Sequence, residues 1–178
     1  MASILTGAAR AAHSAAATVL AAAQITAGEE IPSKSVKEDD PEKAFVLDLS
    51  GKNIIVGVPG AFTPPCSSQV PQYIADYDKY KAKGVKNIYV VAVNDAFVTK
   101  AWKDKLAPQG TGVRFIADDQ GEFTSGLGLL FDASGLLGGP RSKRYAIVAQ
   151  DNKVDFIAVE DAPPNITTTA SEKVLAQL

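Results

Sequence analysis

The chain carries a single cysteine, Cys66, among 178 residues. One thiol cannot close an internal disulfide, and it cannot build a cysteine-based zinc or iron–sulfur centre within one chain. Histidine is equally scarce, since His13 is the only one and lies close to the N-terminus. A cysteine hydrolase or acyltransferase needs a general base beside its sulfur, so this scarcity argues against that chemistry. No cofactor and no metal is implied. A run of about 20 apolar residues is also missing, so no membrane span is expected. Positive charge is not in excess: the formal net charge is -2, unlike the basic surface of a nucleic-acid-binding domain. The one basic cluster, Arg141, Lys143 and Arg144, reads on composition as a solvated strand end.

What is present suffices for one domain plus a tail. Hydrophobic residues make up 46% of the chain, enough to fill a buried core. Residues 1–24 are alanine-rich, carry Arg10 and His13, and precede the first acidic residue, Glu29. That is the composition of a mitochondrial presequence, and the alternative is an alanine-rich helical tail. The chain ends Ala176-Gln177-Leu178, a loose relative of the peroxisomal Ser-Lys-Leu signal with glutamine in the basic position. A terminal helix ending by chance in leucine is the plainer reading. The expected compartment is the mitochondrion or cytoplasm, with the peroxisome as a further candidate. The domain itself is expected over residues 25–178.

Residues 25–50 are polar and turn-rich, and predict a solvated loop with a short strand around residues 45–49. Asn53–Val58 and Ile88–Val93 are short apolar runs rich in β-branched residues, as in strands buried on both faces. Between them, Pro64 and Pro65 open a helix, where proline is favoured. That helix is expected to kink near Pro71 and to stop at Gly84. Asn94 or Asp95 caps a helix from Ala96 to about Leu106. Val113–Ala117 is a third strand, Gly121–Leu127 a short helix, and residues 131–140 a glycine-rich loop. Tyr145–Ala149 and Val154–Val159 form a hairpin across Asp151-Asn152, and a helix over Ser171–Leu178 closes the chain. Strands alternating with helices, followed by a hairpin, predict an α/β domain: a mixed β-sheet flanked by helices on both faces, on the thioredoxin-like plan.

Cys66 falls just after a strand, in the first turn of a helix. Unpaired backbone N–H groups and the helix dipole there favour negative charge, which lowers a thiol pKa and exposes the reactive thiolate form. A lone cysteine is otherwise most often a small buried hydrophobe, so its neighbours have to decide. Pro59-x-x-x-Thr63-x-x-Cys66 resembles the active-site signature of peroxiredoxins, and the longer string VPGAFTPPCS closely resembles their type II branch. The likeness continues through KAKGV (81–85), VNDAFVTKAW (93–102), GEFT (121–124) and GGPRSKRYA (138–146). Several separated blocks in order are more specific than one motif.

The resemblance implies a thiol peroxidase that reduces hydrogen peroxide and organic hydroperoxides. Cys66 would be the nucleophile and become a sulfenic acid. Thr63 would hydrogen-bond the peroxide, Pro59 would shield the sulfenate, and Arg144 would stabilise the developing charge, with Arg141 the less favoured arginine. Gly60, Phe62 and Pro65 would contact substrate. A homodimer through the face bearing the active-site loops is implied as well.

Two departures stand out. Many type II relatives carry a histidine shortly after the cysteine, whereas this chain reads Cys66-Ser67-Ser68-Gln69-Val70-Pro71 and is one residue shorter. There is also no second, resolving cysteine, so the reductant must be an external thiol, glutathione with glutaredoxin or thioredoxin. Disulfide exchange is disfavoured because position 63 of the Cys-x-x-Cys pattern is threonine. A non-enzymatic peroxide sensor or chaperone, relaying oxidation to a partner protein, is the competing reading.

Overall fold

The computed structural model describes residues 23–178. The presequence or helical tail expected over residues 1–24, His13 included, thus lies outside the described residues except for exposed Ala23 and Gln24. In chain order the described elements are β1 (Ser35–Glu38), β2 (Asp40–Val46), β3 (Lys52–Val58), α1 (Pro64–Ala75), α2 (Tyr77–Ala82), β4 (Val85–Ala92), α3 (Ala96–Leu106), β5 (Arg114–Ala117), α4 (Glu122–Gly126), β6 (Leu130–Asp132), α5 (Ser134–Leu137), β7 (Pro140–Ser142), β8 (Tyr145–Gln150), β9 (Lys153–Val159) and α6 (Ser171–Leu175).

The main sheet runs β2-β1-β5-β4-β3-β8-β9. Its centre is parallel, β3 beside β4 and β4 beside β5, because helices cross between those strands. Its flanks are antiparallel, with β8 against β3 and β1 against β5. Side chains alternate across a strand, so each central strand feeds two cores. Ile54, Val56 and Val58 meet Val70, Tyr73, Tyr80, Trp102 and Val174 from α1, α2, α3 and α6. Ile55, Tyr89 and Val91 meet Phe123 of α4 with Ile25, Ile31, Leu47 and Leu49 on the other face. Burying one such aliphatic side chain stabilises the fold by about 1.5–3 kcal/mol. The close pairing of β3 with β8 needs Gly57: a Cβ there would lie 1.9 Å from the Tyr145 ring.

Three expectations are corrected. Residues 25–50 are not mostly loop, because β1 and β2 form a hairpin that reverses at Asp39, whose φ is 54°. The misleading signal was Asp40, Pro41, Glu42 and Lys43, which read as loop composition. An edge strand accepts both charge and proline. Leu47 and Leu49 are buried by packing without belonging to a strand. Second, the helix does not run on to Gly84 as one piece: α1, with Pro71 inside it, ends at Ala75, and α2 starts at Tyr77 beyond Asp76. The Asp76 carboxylate there accepts from the Ser171 hydroxyl at 2.8 Å and pairs with Lys79 at 2.7 Å. Third, residues 131–140 contain α5 and parts of a small ribbon in which Phe131 pairs with Arg141. The hairpin of β8 and β9 turns at Asp151 and Asn152, with φ of 47° and 68°, the two left-handed residues that match strand twist.

Candidate active site

The chain leaves β3 at Val58 and enters α1 through a tight turn. The Thr63 N–H donates to the Gly60 carbonyl at 3.3 Å, and Phe62 takes φ of 64°. A left-handed non-glycine residue costs about 1–2 kcal/mol, so neighbouring groups must hold it. Asn94 Oδ1 accepts from the Ala61 N–H at 3.0 Å, and the Lys105 ammonium lies 5.6 Å from the Phe62 ring centroid. This resolves the two capping candidates of α3. Asp95 takes the cap by accepting from the Val98 N–H at 3.0 Å, which leaves Asn94 to fasten the turn.

Thr63 stands at the N-cap of α1, but its hydroxyl donates back to the Gly60 carbonyl at 2.9 Å instead of capping the helix. Pro64 and Pro65 follow and have no N–H to satisfy, so Cys66 supplies the first amide hydrogen of the helix. The Cys66 side chain is free of any disulfide and has no exposed surface.

Arg144, just before β8, reaches that sulfur. Its Nη1 and Nη2 each lie 3.5 Å from Cys66 Sγ. Nη1 also donates to Gln69 Oε1 at 2.7 Å, while Nε and Nη2 donate to the Pro163 carbonyl at 2.9 and 2.7 Å. The side chain is only 1% exposed, and a buried charge must be hydrogen-bonded to persist. These partners are a sulfur, an amide oxygen and a carbonyl oxygen, so the positive charge faces the sulfur without a carboxylate among its hydrogen-bond partners. Arg141 points elsewhere, donating to the carbonyls of Val93 and Leu137 at 2.6 and 3.0 Å.

A cavity of about 600 Å³ opens beside the pair, with Pro59, Thr63, Pro65, Leu137, Arg144 and Pro163 among its walls. Gly60 and Phe62 do not line it: Gly60 supplies its carbonyl to Thr63, and the Phe62 ring is 45% exposed.

Behind the guanidinium lies a buried polar chain. Gln69 Nε2 donates to Thr169 O at 3.0 Å and to Thr169 Oγ1 at 2.8 Å, and the Tyr73 hydroxyl donates to Thr169 O at 2.6 Å. Glu160 accepts from the amide and hydroxyl of Thr167, both at 2.7 Å, and from those of Thr169, both at 2.9 Å. Burial alone pushes this carboxyl up. The four hydrogen bonds outweigh it and hold the group at about 2.

Sequence reasoning missed Asn94 as a turn anchor, and Gln69, Glu160, Pro163 and Thr169 altogether. Gln69 left one usable signal: it stands three residues after Cys66, on the same helical face. The others left none: Asn94, Pro163 and Thr169 meet partners distant in the chain, and the loop that closes on Glu160 follows no periodic pattern.

The residues 26–175 match the Redoxin family model. The thioredoxin-like fold, with a buried cysteine at the start of α1, is consistent with that class. Peroxisomal membrane associated protein 20 of Schizosaccharomyces pombe is 50% identical over 155 residues, covering 86% of this chain and 99% of that protein. The mitochondrial peroxiredoxin-2F of Arabidopsis thaliana is 41% identical over 132 residues, covering 73% of this chain and 65% of that protein. Among solved structures, reduced Prx3 of Vibrio vulnificus in complex with hydrogen peroxide superposes with a TM-score of 0.78 at 36% identity, covering 87% of this chain and all of that one. The chain belongs to the peroxiredoxins, in their type II branch. It is a thiol-dependent peroxidase, an oxidoreductase that reduces hydroperoxides at the expense of a thiol.

Proposed function

We propose that Cys66 is the peroxidatic nucleophile and that Arg144, Thr63 and Pro59 complete its site. The observation that carries this reading is the Arg144 guanidinium, with two nitrogens 3.5 Å from the sulfur. The Cys66 sulfur attacks the terminal oxygen of ROOH, an S–O bond forms, and the O–O bond breaks. The alkoxide that leaves takes up a proton to give ROH or water, and cysteine sulfenic acid remains. A fixed guanidinium complements both the anionic nucleophile and the oxygen that gains charge. The Thr63 proton is committed to Gly60, so its oxygen is free to accept the peroxide O–H. Pro59 and Pro65 stand in the cavity wall, where Pro59 would shield the sulfenic acid from water. The sulfur is fully buried, so a peroxide entering the cavity must displace part of that wall. Gly60 and Phe62 shape the turn and make no part of the substrate cavity.

With one cysteine in the chain, the sulfenic acid condenses with an external thiol, releasing water. A second thiol then frees Cys66 and leaves as a disulfide. Glutathione with glutaredoxin is the proposed reductant, and thioredoxin is the rival. A homodimer is proposed through the face bearing Phe62, Phe97 and Leu136, which are 45%, 70% and 88% exposed. Such large exposed apolar side chains, Phe62 in the active-site turn, Phe97 in α3 and Leu136 in α5, favour association. Among the described residues no helix is long and apolar enough to cross a membrane. The names of the two curated relatives favour an organelle, peroxisome or mitochondrion, and imaging of the whole chain with an internal tag tests this.

The deciding experiment is steady-state turnover of hydrogen peroxide and an alkyl hydroperoxide with each reductant, alongside mass spectrometry of Cys66. Turnover with reversible sulfenic acid formation supports the assignment. Stoichiometric oxidation that ends in a mixed disulfide with one partner protein favours the sensor reading, and suppression of aggregation that survives Cys66→Ser favours the chaperone.

A further inference from the structure

The polar chain behind Arg144 has a direction. The Thr169 hydroxyl has one proton and gives it to Glu160, so a lone pair faces Gln69. Both Gln69 Nε2 hydrogens are then consumed by Thr169 O and Oγ1. That settles the amide orientation and leaves Oε1, not NH₂, against the guanidinium at 2.7 Å. A flipped amide would set two donors face to face. Each link therefore orients the next, from the Glu160 carboxylate through Thr169 and Gln69 to Arg144 and the Cys66 sulfur. Gln69, Thr169 and Arg144 are at most 1% exposed, and Glu160 is 8% exposed. Buried hydrogen-bonded chains of this kind polarise one another and hold a single geometry.

The same loop bears a second hold on the guanidinium. Residues 160–171 close around the Glu160 carboxylate through Thr167 and Thr169, and Pro163, between Glu160 and Thr167, offers its carbonyl to Nε and Nη2. The guanidinium is thus gripped on two sides by groups that answer to one carboxylate.

We propose that Thr169 and Glu160 are positioning residues for the peroxidase reaction, aiming the Arg144 fork at Cys66 through Gln69. They touch neither substrate nor sulfur, and the role rests on the assignment of Cys66 and Arg144 above. Removing the Thr169 hydroxyl leaves one Gln69 hydrogen without an acceptor, so that only the bond to the Thr169 carbonyl still holds the amide from that side. The guanidinium then loses its aim while keeping its charge and burial.

The test is the rate of Cys66 oxidation by hydrogen peroxide, read by quenched-flow mass spectrometry in the full chain. Thr169→Val is expected to slow oxidation about tenfold or more, and Thr169→Ser, which keeps the hydroxyl, to stay within about twofold of the parent. In an Arg144→Lys background, Thr169→Val should add little, because residues acting through one another are not additive. Gln69→Met breaks the same chain from the α1 side and carries the same expectations should Thr169→Val fail to fold. Oxidation at the parent rate in Thr169→Val, or full additivity with Arg144→Lys, overturns the positioning role. If Arg144→Lys itself oxidises at the parent rate, it is the underlying site assignment that fails.

Discussion

Arg141 and Arg144 stand three residues apart, one in β7 and one at the entry to β8, and they do different work. Arg141 ties the segment after β4 to the end of α5: its two nitrogens reach the carbonyls of Val93 and Leu137. Arg144 reaches the sulfur and is gripped by Gln69 and Pro163. Both are hydrogen-bonded arginines in one basic cluster, and the whole distinction is which way the fork points. A guanidinium whose acceptors are all backbone carbonyls braces the scaffold. One that also faces a lone thiol can assist that thiol's chemistry.

Removing the sulfur tests the comparison at its root. Cys66→Ser should abolish peroxidase turnover with either reductant, and turnover above that of free thiol would leave Arg144 facing a bystander. Next comes the pair itself. Arg144→Lys keeps the charge but loses the fork, and should lower the rate of Cys66 oxidation by about 10²-fold or more. Arg141→Lys should leave that rate within about threefold while lowering Tm, since it forfeits charge-assisted hydrogen bonds to carbonyls, each worth about 1.5–3 kcal/mol. The reverse pattern in stopped-flow peroxide kinetics would mean that the arginine roles are exchanged.

Thr63→Val sharpens the contrast from the turn side. It keeps shape and loses the oxygen, so oxidation should slow by more than about tenfold. Thr63→Ser should largely restore it, and a failure to restore would remove the hydroxyl from the mechanism.

The smallest effect concerns the loop that holds Arg144. Glu160 sits at about 2 in the fold, below its ordinary value of 4.5. A depressed carboxyl stabilises the folded state above its unfolded value, and that contribution is lost as pH falls through the folded one. The stability difference between the parent and Glu160→Gln should therefore be full near neutrality and shrink between pH 4.5 and about 2. Thermal unfolding across that window measures it, and a gap independent of pH would disconnect the carboxylate from loop order.

The edge hairpin was misread in the sequence because its residues, Asp40 to Lys43, obey the rules of an exposed edge, where composition resembles a loop. The break at Asp76 left no mark in the sequence because its carboxylate answers to Ser171, 95 residues away. The central strands were legible because burial on both faces leaves an unbroken apolar run. The β8–β9 turn was legible because two left-handed residues select Asp-Asn.

By itself the sequence determined the sulfur's local setting: a strand, a tight turn, two prolines and Cys66 in the first turn of α1, with Thr63 and Pro59 at short range. Those features depend on residues a few positions apart, where backbone geometry alone sets distance. Only the tertiary structure decided which arginine meets the sulfur across 78 residues, and which glutamine, threonine and carboxylate hold it there. Such partners share no periodicity with one another. They meet because strand order and loop closure bring them into one buried volume, where each polar group must find its complement.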